Sequence, residues 1–403
     1  MKFMEQVGSP ARKLNIAIVC DAVTDCVAGS FISTLRFSER LEKKGHKIVF
    51  IAARSPKNPD HNYHGTIKAY RFPAFLLPKS EGQMRIALVR TKTIKKILED
   101  EQIDIVHTMI PTFAGIASTR AARELDIPIV NHSHTQPENL FMHMPPGPWV
   151  GFLNRKFYQY MSWYYSQGDA LIYPTQFSQD LLTGIHTGVR KHVISNGVES
   201  LRFAQVDTGA FFERFDIPKD RTLVLYAGRL HPEKSLETLI AAIPHIMKET
   251  PRAYFVLAGF GHLEDSLKRQ AAKLDIEAHV KFLGRVTDEE MVMAQHASDI
   301  FVLPSLAELE GMVVLEAIAS GKPIVIANSK ESASTYFVDG NGFLFEPKNA
   351  EDLAAQVVKL ANNPELRKAM SEKSLEISRN YDIDESVRQL EEIYYSLVKN
   401  END

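Results

Sequence analysis

The strongest constraint on this chain is an alternation that runs through it twice: a short apolar run, a turn, then a segment with helical character. In the first series Asn15–Val19, Lys47–Ala53, Ile103–His107, Ile127–Asn131, Ala170–Tyr173 and His192–Ser195 read as strands. Phe31–Lys44, closed by Gly45-His46, with Gly115–Leu125 and Thr175–Thr183, reads as the helices between them. A second series begins at Leu223–Ala227 and continues through the strands Tyr254–Ala258, His279–Phe282, Ile300–Leu303, Ile324–Ala327 and Gly342–Leu344. Its helices are Ser235–Glu249, Leu263–Leu274, Asp288–Ala297, Ala350–Asn362 and Pro364–Ile377. Such alternation predicts an α/β fold with parallel, doubly wound sheets. At 403 residues the chain suits two domains of roughly 150–200 residues each. The irregular stretch Glu199–Asp220 reads as the linker. The expected division is residues 1–198 and 199–381, two Rossmann-like domains in tandem with ligand at the C-terminal ends of the strands.

Composition narrows the partners. A net charge of −3, with 44% hydrophobic and 24% charged residues, is that of a soluble globular protein and gives no global case for nucleic-acid binding. The two cysteines, Cys20 and Cys26, have no metal spacing to histidines and suggest no disulfide framework, as in a reducing cytoplasm. Met1–Lys13 lacks the apolar core of a signal peptide, and no apolar run approaches the ~20 residues of a membrane span.

The chemistry concentrates in Pro304-Ser305-Leu306-Ala307-Glu308-Leu309-Glu310-Gly311-Met312-Val313-Val314-Leu315-Glu316-Ala317. A strand-like run enters a Pro-Ser turn, and Gly311 opens a helix that stops at Ser320-Gly321-Lys322-Pro323. Glu308 hangs on the loop and Glu316 projects from the first turns of the helix. Between them lie the amides of Gly311, Met312 and Val313 at a helix N-terminus, a ready anion site. Carboxylates beside an anion site suit a ligand with both phosphates and hydroxyls, as a nucleotide sugar has.

This block resembles the signature of retaining glycosyltransferases of family 4, the glycogen-synthase-like family: two glutamates with seven residues between them flanking a Gly-x-Val-x-Leu-type helix start. The resemblance implies the GT-B fold, two domains facing across a cleft, with the acceptor on the first domain and the nucleotide sugar, most simply UDP-glucose, on the second. It also implies that a last helix, about 382–403, crosses back onto the first domain. Gly228-Arg229-Leu230 follows a strand, and Lys234 lies five residues on. The family places an Arg and a Lys there on the donor diphosphate, which suits a planar fork and a point charge. Ala28-Gly29 partly matches a Gly-Gly pair that lets backbone approach the donor, and Gly29 is the glycine carried over. In Asn131-His132-Ser133-His134-Thr135, His134 matches the family's His-Thr turn near the reacting hexose, and His132 does not.

The expected reaction is retaining transfer of a hexose, glucose first, to an acceptor hydroxyl. Arg229, Lys234 and the amides near Gly311–Val313 would take the charge of the leaving diphosphate. Glu316 would accept from ribose hydroxyls, while Glu308 and His134 hold the hexose. No tightly bound cofactor and no metal are expected. Asp382-Ile383-Asp384 reads as a helix cap. Gly259-Phe260-Gly261 resembles a dinucleotide fingerprint, but Glu264 stands where the third glycine would be, and Phe260 takes no role.

The apolar, proline-broken tip Phe72-Pro73-Ala74-Phe75-Leu76-Leu77 precedes Arg90, Lys92, Lys95 and Lys96. An apolar loop beside a basic helix suits an anionic membrane surface. The region is similar to the corresponding part of bacterial 1,2-diacylglycerol 3-glucosyltransferases, which implies a lipid acceptor at the cytoplasmic membrane face. Three alternatives remain: a soluble sugar, sugar phosphate or polysaccharide-precursor acceptor, an NAD(P)-dependent oxidoreductase, and a non-catalytic nucleotide-sugar-binding protein. A nicotinamide absorbance assay separates the second, and donor binding without turnover the third.

Overall fold

The computed structural model describes residues 12–23, 29–54, 63–77, 84–138, 147–203 and 206–398. Cys26, Ala28 and the two chain ends fall outside them. Two sheets carry the molecule. The first has eight strands in the order Arg190–Val193, Ala170–Tyr173, Ile129–His132, Ile105–Thr108, Asn15–Val19, Lys47–Ala53, Ile67–Phe72, Tyr63–His64. All its pairings are parallel except the last. The second has six parallel strands in the order Val280–Gly284, Ala253–Ala258, Thr222–Ala227, Ile300–Leu303, Ile324–Ala327, Gly342–Phe345. The central strands are buried along nearly their whole length, because helices cover both faces of a parallel sheet. In each sheet the winding direction reverses between neighbouring strands. The reversals lie at Asn15–Val19 beside Ile105–Thr108, and at Thr222–Ala227 beside Ile300–Leu303. Ligands of doubly wound sheets bind outside the C-terminal strand ends at that switch point.

The Ile383–Leu397 helix buries Ile383, Val387, Leu390, Ile393 and Tyr394 in the core of the first sheet. Asp382 caps it by accepting from the Asp384 amide. Val198 bonds Tyr381 and Ile383 on its two sides, so both crossings between the domains meet there.

Several sequence expectations need correction. The segment 199–220 is not an irregular linker. It holds a 3₁₀ turn, Ser200–Phe203, and a helix, Gly209–Phe215, and Phe211 and Ile217 are buried in the second core. The Pro148–Tyr165 helix was not expected. The tip at 72–77 is a hairpin arm: Ala74–Leu76 pairs antiparallel with Arg85–Ala87. Phe72 packs against the core, and the Leu77 amide donates to the Met84 carbonyl, so the exposed residues of that tip are Pro73, Phe75 and Leu76. Of the basic residues after it, Lys95 pairs with Glu124 at 3.1 Å.

Candidate active site

The Met312–Ala319 helix begins at the switch point of the second sheet. Gly311 precedes it with φ 93°, and a Cβ there would lie 2.2 Å from Ser334 Oγ, so only glycine fits. No side chain caps this end, and the first amides of a helix have no intrahelical acceptor. Gly29, at the start of the first domain's Gly29–Lys43 helix, faces Met312: a Cβ on it would stand 3.6 Å from Met312 Sδ, an ordinary contact. Nothing in that geometry demands glycine at 29.

The four charged side chains singled out in the sequence are all partnered. Lys234 Nζ lies 2.5 Å from Glu308 Oε1, with both side chains largely covered. Arg229 Nη2 lies 3.0 Å from Glu233 Oε1. Glu233 is fully buried; burial alone would raise its pKa, but Lys234 and Arg229 hold it below the usual carboxylate range. Glu316 Oε1 meets Arg36 Nη2 at 2.7 Å. Arg36 belongs to the first domain, and its Nη1 is buried with no hydrogen-bond partner. One of three basic positions in an amphipathic helix, Arg36 gave no sign of this contact.

Glu310, read only as spacing between the two glutamates, is a third functional-looking carboxylate. It accepts from Ser195 Oγ at 2.5 Å and from Asn196 Nδ2 at 2.6 Å, and it is nearly fully buried. Burial pushes its pKa up to about 7. Thr175 Oγ1 donates to the Leu309 carbonyl at 2.7 Å, and Gln136 Nε2 to the Glu331 carbonyl at 3.1 Å. The first domain therefore grips the signature loop and its helix at Leu309, Glu310 and Glu316.

A cavity of 160 Å³ lies beside these groups. Four arginines line it: Arg36, Arg202, Arg229 and Arg285. Arg285 stacks over the Phe260 ring, 4.0 Å from its centre. Sequence reading passed over Arg285 and gave Phe260 no role. The signal was present, since Gly284-Arg285-Val286 repeats the strand-end pattern of Gly228-Arg229-Leu230. The floor is backbone: at Gly259, φ 147°, a Cβ would sit 1.8 Å from the Gly228 carbonyl oxygen. That close approach keeps side chains out of the strand ends.

His134 stands across the interface from none of these at hydrogen-bonding distance. Its Nε2 lies 3.4 Å from Ser33 Oγ. Its ring packs 4.1 Å from that of His132, which stacks on His107 at 5.6 Å; His107 Nδ1 in turn meets the Tyr394 hydroxyl at 2.6 Å. Burial pushes His134 and His107 down to about 3, and His132 well below its usual value, so all three are neutral near pH 7.

Residues 27–200 match the model described as Glycosyltransferase Family 4, and residues 207–376 the model described as Glycosyl transferases group 1. The chain belongs to glycosyltransferase family 4. It is 28% identical to the alpha-monoglucosyldiacylglycerol synthase of Streptococcus pneumoniae, over 91% of this chain and 82% of that one. It is 26% identical to the phosphatidyl-myo-inositol mannosyltransferase of Mycolicibacterium smegmatis, over 95% and 94%. The fold matches a sucrose-phosphate synthase from Thermosynechococcus elongatus with TM-score 0.79 at 18% identity, covering 96% of this chain and 99% of that one. It matches Anabaena HepE, solved with UDP and glucose, with TM-score 0.75 at 19% identity, covering 95% and 100%. This family 4 glycosyltransferase thus has the GT-B architecture of two Rossmann-like domains.

Proposed function

We propose that the enzyme is a retaining glucosyltransferase that uses UDP-glucose and glycosylates a lipid hydroxyl, diacylglycerol first, at a membrane surface. The observation that carries the donor half is the convergence of Arg229, Lys234 and the uncapped Met312–Ala319 helix start at one switch point. Cations and free amides together suit a leaving diphosphate, whose charge grows in the transition state. Glu316 would accept from the ribose once Arg36 yields it, and Glu308 would turn from Lys234 to the hexose. His134, held neutral, would offer a hydrogen bond to the hexose rather than a charge. The 160 Å³ cavity is smaller than the roughly 300–1,000 Å³ of small-molecule sites, so as it stands it would hold only part of the donor. A leaving phosphate oxygen would serve as base, with attack from the same face.

The lipid half is supported by the named activities of the relatives in Streptococcus and Mycolicibacterium, both of which act on lipids by name. The exposed Phe75 and Leu76 agree with it. The test is a donor-hydrolysis screen over UDP-, GDP- and ADP-hexoses, then acceptor profiling with the best donor. UDP-glucose hydrolysis with diacylglycerol as the preferred acceptor is the expected result. A soluble sugar preferred over any lipid would sink the acceptor assignment. Glu316→Gln should mainly weaken UDP binding and Glu308→Gln mainly lower turnover; the opposite split reverses their roles.

A further inference from the structure

The Pro148–Tyr165 helix has eighteen residues, no aspartate and no glutamate. Arg155 and Lys156 are its only charged side chains. One side is core: Met161, Tyr164 and Tyr165 pack with Leu171 and Tyr173. The opposite side of such a helix is ordinarily polar. Here Trp149, Phe152 and Trp163 are 37%, 48% and 49% exposed. They stand at i, i+3 and i+14, with Lys156 at i+7, and therefore share one stripe of a 3.6-residue helix. Lys156 Nζ and the Arg155 guanidinium lie 5.7 Å and 5.9 Å from the centre of the Phe152 ring.

The stripe continues beyond its own helix. Tyr160 donates to the Pro111 carbonyl at 2.8 Å, which ties the helix to the segment leading into Phe113, 54% exposed. Phe113 and Leu88 flank an open groove of 620 Å³ with Arg90 and Arg120 at its margin.

We propose that this aromatic face is the surface on which the protein lies on an anionic bilayer, with the Pro148–Tyr165 helix parallel to the membrane plane. The inference deepens the lipid reading above by placing its membrane contact. Tryptophan and tyrosine favour the membrane–water interface, with the ring among acyl chains and the polar edge at the headgroups. The helix is a surface element: among the described residues none is long and apolar enough to cross a membrane. Cations around the aromatic stripe, with no carboxylate on the helix, match an anionic surface. A symmetric pairing of two copies would instead set Lys156 and Arg155 against themselves, with no acid on the helix to meet them.

The chain offers its own probe, because its two tryptophans are Trp149 and Trp163. Adding vesicles of phosphatidylcholine and phosphatidylglycerol at low salt to the full-length protein should shift tryptophan emission to the blue. Brominated acyl chains should quench it. About 1 M salt, where screening acts over ~3 Å, should weaken binding severalfold. Trp149→Ser with Trp163→Ser should lower vesicle co-sedimentation at least tenfold with little change in melting. Phe152→Ser, which retains both reporters, should cut the emission shift. Co-sedimentation without any emission change overturns the proposal, as does the absence of vesicle binding. A concentration-dependent shift without lipid, with a dimer in sedimentation, assigns the face to a second copy and overturns it too. UDP-glucose hydrolysis measured without vesicles tests the functional reading separately, so either can fail while the other stands.

Discussion

The second domain and the first are built on the same winding plan but close their cores differently. The second gathers its buried residues into one continuous cluster around six parallel strands. The first divides its interior into three smaller clusters and completes one with a helix borrowed from the far end of the chain. Its exterior carries more exposed apolar side chains as well: Leu88, Phe113, Phe152 and Trp163 are each close to half exposed, where the second domain has Tyr336 and Leu375. The contrast teaches a division of labour. On the function proposed above, a nucleotide sugar would need fixed cations and fixed amides, which a single core can hold, and an acceptor approaching from a membrane would need a domain that can keep apolar groups outside.

The comparison breaks first at the borrowed helix. Leu390→Ala, at a position 1% exposed, should cost about 2–5 kcal/mol of stability through cavity formation. UDP binding per folded molecule should stay unchanged; calorimetric unfolding with nucleotide titration checks both. Loss of nucleotide affinity in the folded variant would show the domains to be energetically one. Next comes Lys234→Ala, which removes charge-assisted hydrogen bonds and leaves Glu308 unpaired. It should lower kcat/KM by about 1.5–3 kcal/mol, roughly 10- to 150-fold. Turnover near wild type would remove Lys234 from the donor site.

A third test uses pH. His107, His132 and His134 are neutral in the fold, whereas the unfolded chain protonates each near 6.5. Below that pH the unfolded state takes up protons the fold refuses, so their contribution to stability falls as pH drops. Glu310 and Asp21 oppose them. Held up to about 7 and about 6 by burial, they bind protons in the fold before the unfolded chain does, and their contribution is lost as pH rises through those values. His132→Phe should remove one proton from the balance, changing the slope of stability by up to about 1.4 kcal/mol per pH unit as pH falls below about 6.5. Urea unfolding at several pH values reads it, and an unchanged slope would mean His132 is protonated in the fold. The smallest effect belongs to Phe75→Ser, 42% exposed at the hairpin tip. It should change stability by less than about 0.5 kcal/mol. A larger loss of melting temperature would place Phe75 against a packing partner.

Both sheets were legible because central strands of a covered parallel sheet are unbroken apolar runs, such as Ile300–Leu303 and Ile324–Ala327. The edge was not. Ile67–Phe72 alternates lysine, tyrosine and arginine with apolar residues, and its two-residue partner Tyr63–His64 is too short to signal. Pro148–Tyr165 escaped because its aromatic residues lie on both faces, which blurs the helical period. At the site, the spacing of Glu308 and Glu316 was readable because both belong to one loop and helix. Arg36, Ser195 and Asn196 were not, since Arg36 reaches Glu316, and Ser195 and Asn196 reach Glu310, only when the domains meet. Local sequence carries no record of contacts made across 280 residues of chain.

The return of the Ile383–Leu397 helix to the first sheet also sets an order on biosynthesis. Domains generally fold as they leave the ribosome, amino end first. Here the face that receives Val387, Leu390 and Tyr394 must wait, uncovered, until nearly the entire second domain has been translated. During that interval Phe37, Leu41 and Ile48 present an apolar surface to the cytosol or to chaperones. A nascent chain stalled at residue 380 would be a finished second domain trailing an unfinished first.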